Sequence, residues 1–158
     1  MTLGFAQPSD ETSIRALLKS AHLPTDDLTP EHLRHFIVMK EQNNIIGVAG
    51  VERLGRHSGL IRSIAVESQF RGQGVAGKLY RAVEEHACSM GLREVFAMTT
   101  TIEAWLGRLG FTRLQRDNAP EDLRKTSEFT SLCPSSAAIL QKTLQVASKQ
   151  LPGTFECA

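Results

Sequence analysis

The 158-residue sequence has neither an excess of one charge nor a long apolar run. Lysine and arginine number 18, and aspartate and glutamate number 17, which argues against nucleic-acid binding because that usually requires a basic patch. No uncharged apolar run approaches the ~18 residues of a membrane span, and residues 1–5 have neither the basic nor the apolar region of a signal peptide. We therefore expect one cytoplasmic domain that binds neither nucleic acid nor membrane.

Cysteine is scarce, which argues against two further classes of protein. Cys88, Cys133 and Cys157 lie far apart and form no CxxC pair, so we expect neither a disulfide framework nor a cysteine zinc site. His32 and His35 are three residues apart without an obvious third ligand, and we expect surface histidines there. No metal site is predicted.

Strands and helices alternate along the chain. Apolar residues at helical spacing predict a long helix from Val75 to Met90, and Pro8-Ser9 is typical of a helix start with Ser9 as its N-cap. Hairpins early in the chain and crossovers later indicate an α/β (α+β) fold with a mixed central sheet flanked by helices. Strands are predicted at residues 3–6, 36–39, 45–54, 60–66, 95–98, 111–114 and 137–144.

A glycine cluster after the fourth predicted strand matches three phosphate-binding patterns. Gly72, Gly74 and Gly77 satisfy the dinucleotide fingerprint GxGxxG, but five residues separate them from the strand and no acidic residue ends the next strand. The Walker A pattern fits Gly77-Lys78 but has Leu79 in place of the hydroxyl residue that binds magnesium. Both nucleotide patterns therefore fail at residues that carry their chemistry.

The third pattern, RxxGxA, consists of Arg71, Gly74 and Ala76 at the start of the long helix. Unpaired N–H groups and the helix dipole favour an anionic pyrophosphate there, although a glycine-rich turn that binds nothing remains the alternative. Residues 63–79, SIAVESQFRGQGVAGKL, and residues 104–111, AWLGRLGF, resemble the GNAT superfamily of N-acetyltransferases. The resemblance covers nearly the whole chain.

The resemblance implies a single GNAT domain over residues 1–144, a tail over residues 145–158, and acetyl-CoA as cosubstrate. The main chain of Ile64 and Val66 would pair with pantetheine, and Val66 would polarise the thioester carbonyl. Arg71 and Lys78 would add positive charge near the phosphates. The implied cofactor-binding residues are Ile64, Ala65, Val66, Arg71, Gly72, Gln73, Gly74, Val75, Ala76, Gly77 and Lys78.

Two residues that many family members use are absent. Leu106 stands where many carry a tyrosine acid, and the only tyrosine, Tyr80, lies in the long helix. Leu60 and Arg62 stand where a strand glutamate would act as general base. The catalytic residues are therefore unassigned, and a degenerate acyl-CoA-binding sensor or partner domain is the alternative to an enzyme. The carboxylates nearby in sequence are Glu52, Glu67 and Glu103. Each is more typical of a solvated surface acid than of a general base, and a chain of water molecules to bulk solvent is an equal alternative.

Three polar residues are candidates for contact with the acceptor. Arg62 interrupts an apolar strand, where it can bind a substrate carboxylate or form an ion pair with a helix acid. Thr99 and Thr100 end the following strand, and their hydroxyls suit a small polar ligand, although threonine is also a good strand residue.

Two further resemblances narrow the acceptor to a small amino-acid-like amine. Residues 123–137, LRKTSEFTSLCPSSA, resemble the end of GNAT enzymes found with arsenic-resistance operons. Residues 99–105 are similar to the acetyltransferase domain of bacterial N-acetylglutamate synthases. A glutamate-like arsenical fits both, and Cys133 is either an arsenic ligand or an ordinary buried residue. Dimers are common in the family, so a homodimer is also implied.

Overall fold

The computed structural model describes residues 1–144, so the predicted tail of residues 145–158 lies outside the described part of the chain. The strands are β1 (Thr2–Phe5), β2 (Phe36–Glu41), β3 (Asn44–Arg53), β4 (Ser58–Val66), β5 (Glu94–Thr99), β6 (Thr112–Leu114) and β7 (Ala138–Thr143). The helices are α1 (Glu11–Ser20), α2 (Pro30–Leu33), α3 (Val75–Ser89), α4 (Glu103–Arg108) and α5 (Glu121–Arg124).

These strands form one sheet in the order β1-β2-β3-β4-β5-β7-β6, which confirms the predicted mixed α/β fold. None of the helices within residues 1–144 is long and apolar enough to cross a membrane. The chain divides into two compact units, the first of residues 1–52 and 61–86 and the second of residues 53–60 and those from Ala87 onward.

The first unit contains an antiparallel meander of β1, β2 and β3, with Leu3 opposite Met39 and Phe36 opposite Gly50. The β2–β3 hairpin turns at Gln42 and Asn43, whose φ angles of 51° and 68° suit a two-residue turn. Helix α1 packs its apolar stripe on this sheet because leucine and isoleucine recur at helical spacing. Its core comprises Ile14, Leu18, Leu28, Leu33, Phe36, Val38, Val48 and Ala65.

The second unit contains β5, β7 and β6, with β7 antiparallel to both neighbours. Met98 and Leu114 both lie opposite Ile139, so apolar side chains from three strands meet on one buried layer. Its core cluster comprises Leu60, Phe96, Ala119, Leu123 and Ile139.

The structure corrects the predicted N-cap of the first helix and adds one turn that the sequence did not predict. Residues 8–10 form a short 3₁₀ turn before α1, so the N-cap residue is Gln7 for this turn and Asp10 for α1 rather than Ser9, and the Gln7 N–H donates to Asp10 Oδ2 at 2.8 Å. A π-helical turn at Glu128–Leu132 carries no sequence signal, since its wider hydrogen bonding follows from tertiary packing.

Candidate functional site

The end of β4, a connecting turn and α3 form a continuous strand–loop–helix segment, which lies within the first unit as far as His86. The Glu67 N–H donates to the Ile46 carbonyl at 2.8 Å and holds the end of β4 against β3. A short helical turn, Ser68–Phe70, follows, and α3 begins at Val75. The loop of residues 71–74 therefore joins the carboxyl end of a strand to the amino end of a 15-residue helix, a setting in which proteins bind anionic groups.

Two glycines of this loop adopt the left-handed conformation. The φ angle is +79° at Gly72 and +81° at Gly74, a region that costs other L-residues about 1–2 kcal/mol. A Cβ atom placed on Gly72, Gly74 or Gly77 would meet no heavy atom within 4 Å. The backbone of this segment is thus open to close approach by a ligand.

The first turn of α3 presents backbone donors beside these glycines. The Lys78 N–H donates to the Gly74 carbonyl at 3.1 Å. The amides of Val75, Ala76 and Gly77 precede that bond, and helix geometry gives them no acceptor within the helix itself. Together with the positive end of the helix dipole, they form the kind of donor set that binds an anionic group, and the predicted contact with the CoA pyrophosphate stays a prediction.

Arg71 ties the loop to the strand. Its Nε atom donates to the Val66 carbonyl at 3.0 Å, while the side-chain amide of Gln73 donates to the Gln69 carbonyl at 3.4 Å. Arg71 and Lys78 are both exposed. Their predicted charge contact with phosphates stays a prediction, and Arg71 has in addition a structural role that the sequence did not indicate.

The predicted pantetheine segment, residues 64–66, closes β4. Ile64 is half-buried, whereas Ala65 and Val66 are buried. Ser63, directly before them, has φ +60°, a conformation that a strand residue normally avoids. The main chain of β4 therefore changes direction immediately before the segment.

Arg62 is buried at the centre of an ion-pair cluster in the first unit, with its side chain 1% exposed. Its Nη1 and Nη2 atoms contact Asp27 Oδ2 at 2.6 Å and Oδ1 at 2.8 Å. Nη1 also donates to Glu52 Oε1 at 2.9 Å, and Nε donates to Ser63 Oγ at 3.2 Å. The ion-pair reading of Arg62 is therefore the one observed, but its acidic partners lie in a loop and in β3 rather than on a helix.

Asp27 and His32 complete the cluster, and sequence reasoning missed the first of them. Burial raises the pKa of Asp27, but the hydrogen bonds and charge of Arg62 outweigh this effect, so the pKa lies below its ordinary value. His32 Nε2 lies 3.8 Å from Glu52 Oε2, and its Nδ1 accepts the Thr29 N–H at 3.3 Å. No periodic pattern marks Asp27, because it lies in the loop between α1 and α2.

A model of the acetyltransferase (GNAT) family matches residues 7–111. The chain belongs to this family. It is 29% identical over 99 residues to an amino-acid acetyltransferase of Ralstonia nicotianae, an alignment that covers 62% of this chain and 22% of the relative. It is also 22% identical over 142 residues to protein YwlB of Bacillus subtilis, covering 89% of this chain and 95% of YwlB. The chain thus spans about a fifth of the length of the first curated relatives that it matches.

Solved structures share the fold. N-acetylglutamate synthase from Neisseria gonorrhoeae, complexed with coenzyme A and N-acetyl-glutamate, superposes with a TM-score of 0.80 at 22% identity over 91% of this chain and 35% of the synthase. Rv2747 from Mycobacterium tuberculosis, also in complex with CoA, gives a TM-score of 0.78 at 21% identity over 92% of this chain and 100% of that one. These complexes are consistent with acetyl-CoA as the cosubstrate of this GNAT protein.

No proton donor stands at the position where many GNAT enzymes carry a tyrosine acid. Leu106, on α4, is 1% exposed and part of the apolar interior. Tyr80 donates its hydroxyl to Glu84 Oε1 at 2.6 Å. Burial, and then the neighbouring Glu84 carboxylate, raise the pKa of Tyr80 above its ordinary value. Tyr80 is therefore a protonated structural residue of α3.

The two candidate threonines lie in the second unit, at the end of β5. Thr99 Oγ1 accepts the N–H groups of Thr101 at 3.1 Å and Ile102 at 3.0 Å, and so satisfies donors at the start of α4. Thr100 is exposed. A contact of either residue with the acceptor stays a prediction.

The cysteine and histidine candidates have protein partners. Cys133 is a half-buried thiol, and its Sγ donates to Glu128 Oε1 at 3.5 Å. His32 and His35 are both half-buried, and His35 Nδ1 lies 2.9 Å from His86 Nε2 in a stacked pair. Among residues 1–144, no three histidine, cysteine, aspartate or glutamate side chains are arranged to hold a metal ion.

Proposed function

We propose that the protein transfers the acetyl group of acetyl-CoA to the primary amine of a small amino-acid-like molecule. The observation that carries this proposal is the open glycine loop at the end of β4, with Gly72 and Gly74 left-handed and the first turn of α3 beside them. It lies within the segment matched by the acetyltransferase family.

The proposed CoA contacts come from the main chain. Residues 64–66 would pair with pantetheine as an added strand, and the amides of residues 72–77 would bind the pyrophosphate. The Val66 N–H would donate to the thioester carbonyl oxygen and stabilise the negative charge that develops there. Arg71 would keep the end of β4 in place through its 3.0 Å bond to the Val66 carbonyl.

The reaction joins the amine nitrogen of the acceptor to the thioester carbonyl carbon and breaks the bond between that carbon and sulfur. The acceptor ammonium must first lose a proton to water, because it has no lone pair, and its nitrogen loses a second proton to water once the C–N bond has formed. CoA leaves as a thiolate and takes its proton from water, since Leu106 offers no acid and Tyr80 is committed to Glu84.

The acceptor class rests on the amino-acid acetyltransferase relative and on the resemblance of residues 99–105 to N-acetylglutamate synthases. Within that class we propose a glutamate-like arsenical, because residues 123–137 resemble enzymes of arsenic-resistance operons. The proposal does not need arsenic ligation by Cys133, which contacts Glu128 in the described structure. A homodimer is a further proposal, and light scattering of the purified protein would give the mass.

Release of free thiol from acetyl-CoA tests the function. Each of the twenty amino acids, a glutamate-like arsenical and a phosphinate analogue would be supplied with acetyl-CoA, and acetyl-CoA alone serves as the control. Acceptor-dependent release with glutamate-like compounds is the expected result. Thermal stabilisation by acetyl-CoA without release for any acceptor would favour the alternative of a degenerate acyl-CoA-binding domain, and the absence of stabilisation would refute the CoA site itself.

A further inference from the structure

Ser63 holds a costly backbone conformation in the middle of β4. Its φ of +60° lies in the left-handed region, which a non-glycine residue occupies only where its surroundings enforce it. The strand is continuous from Ser58 to Val66 on both sides of this position. Some contact must therefore stabilise the turn.

The neighbouring Arg62 supplies that contact. Its guanidinium bonds to the Ser63 hydroxyl at 3.2 Å through Nε, while Nη1 and Nη2 hold Asp27 and Glu52. Asp27 belongs to the loop before α2 and Glu52 to β3, so one buried side chain joins three segments of the first unit. Because the guanidinium is planar and rigid, fixing its two ends also fixes the position of Nε and of the Ser63 hydroxyl.

We propose that Arg62 is a positioning residue for the acyl-CoA strand: together with Asp27 and Glu52 it maintains the left-handed turn at Ser63, and this turn sets the direction of the main chain at residues 64–66. The inference rests on the proposed function, since those residues are the expected pantetheine contacts. A left-handed residue within a strand reorients the groups that follow it, as in a β-bulge.

Arg62 is correspondingly unsuited to bind the carboxylate of an acceptor. Asp27 already occupies its bidentate edge at 2.6 and 2.8 Å, and Glu52 takes a further donor at 2.9 Å. A substrate carboxylate would have to displace one of these buried partners and leave its charge uncompensated. The acceptor's carboxylate is therefore recognised elsewhere.

The test measures the dissociation constant of CoA by calorimetry for the full chain and for Arg62→Met, Arg62→Lys and Asp27→Asn, after circular dichroism confirms folding. We expect Arg62→Met to weaken CoA binding roughly five- to thirty-fold, the cost of one strained backbone residue. Arg62→Lys and Asp27→Asn should each lose part of this affinity, and they keep the test available if Arg62→Met does not fold.

Adding Ser63→Gly to Arg62→Met or Arg62→Lys should restore CoA affinity to within about threefold of the wild type, because glycine adopts positive φ at little cost. Arg34→Gln, which removes an exposed arginine paired with Glu31, is the matched control and should leave CoA binding unchanged. CoA affinities of the Arg62 variants within twofold of the wild type, or a raised KM for the acceptor alone, would overturn the positioning role. A wild type that does not bind CoA would instead overturn the proposed function.

Discussion

Gly77→Ala should move the stability of the protein and its affinity for CoA in opposite directions. Gly77 lies in the first turn of α3, where alanine is the better helix former by about 0.5–1 kcal/mol. An alanine Cβ there meets no heavy atom of the protein within 4 Å, so no packing cost offsets this gain. In a protein of this size the gain corresponds to a rise in Tm of about 1–4 °C.

The same methyl group would stand where the pyrophosphate is expected to approach the helix amides. We therefore expect Gly77→Ala to weaken CoA binding at least about tenfold, equivalent to about 1.4 kcal/mol, while the unliganded protein becomes more stable. Calorimetric titration with CoA and thermal unfolding of the same sample provide the two measurements.

Gly107→Ala is the matched control for this prediction. Gly107 lies in α4 and its added Cβ also meets no heavy atom, so the substitution should raise stability without changing CoA affinity. If Gly77→Ala raises Tm and leaves the dissociation constant of CoA unchanged, the phosphates do not contact the first turn of α3, and the assignment of the glycine loop is refuted.

Two predictions concern residues outside the proposed CoA contacts. Tyr80→Phe should lower the free energy of unfolding by about 1–3 kcal/mol, because the buried Glu84 carboxylate loses its 2.6 Å hydrogen bond. Acetyl transfer should persist in this variant, because Tyr80 is not the acid. A variant that is folded but inactive in the thiol assay would contradict this expectation. Burial, and then the charge of His35, lower the pKa of His86 from its ordinary 6.5, so the unfolded chain binds more protons. The free energy of unfolding should fall as the pH drops below about 6.5 and through the lower pKa of the folded state. Urea unfolding at several pH values should show a shallower fall for His86→Gln than for the wild type. An equally steep fall in the variant would exclude His86 as the cause.

The missing family residues give the proposed reaction a particular character. With Leu106 buried in place of a tyrosine and no glutamate on β4, neither proton transfer relies on the residues that many GNAT members use. Glu52 does reach β4 from the neighbouring strand, through its 2.9 Å contact with Arg62. The buried cluster thereby places a carboxylate beside a strand whose own sequence has none.

The sequence by itself determined the strand–loop–helix segment. The left-handed turns at Gly72 and Gly74 require glycine, and the start of a helix depends on the residue types in its first turn. Both features can therefore be predicted from a short stretch of sequence. Helix α3 and strand β4 can likewise be predicted from the apolar residues in their own segments. The absence of a tyrosine acid at Leu106 can also be predicted from the sequence, because it concerns the identity of one residue within a local motif.

Only the tertiary structure decided what Arg62, Thr99 and Ser63 do. Asp27 and Arg62 lie 35 positions apart in the chain, and their contact depends on the path of a loop whose sequence carries no periodic signal. Thr99 satisfies the start of α4, and Ser63 adopts a conformation that its residue type disfavours. Local propensities fix helices, turns and glycine loops, but buried charges find partners through long-range packing that no single stretch of sequence encodes.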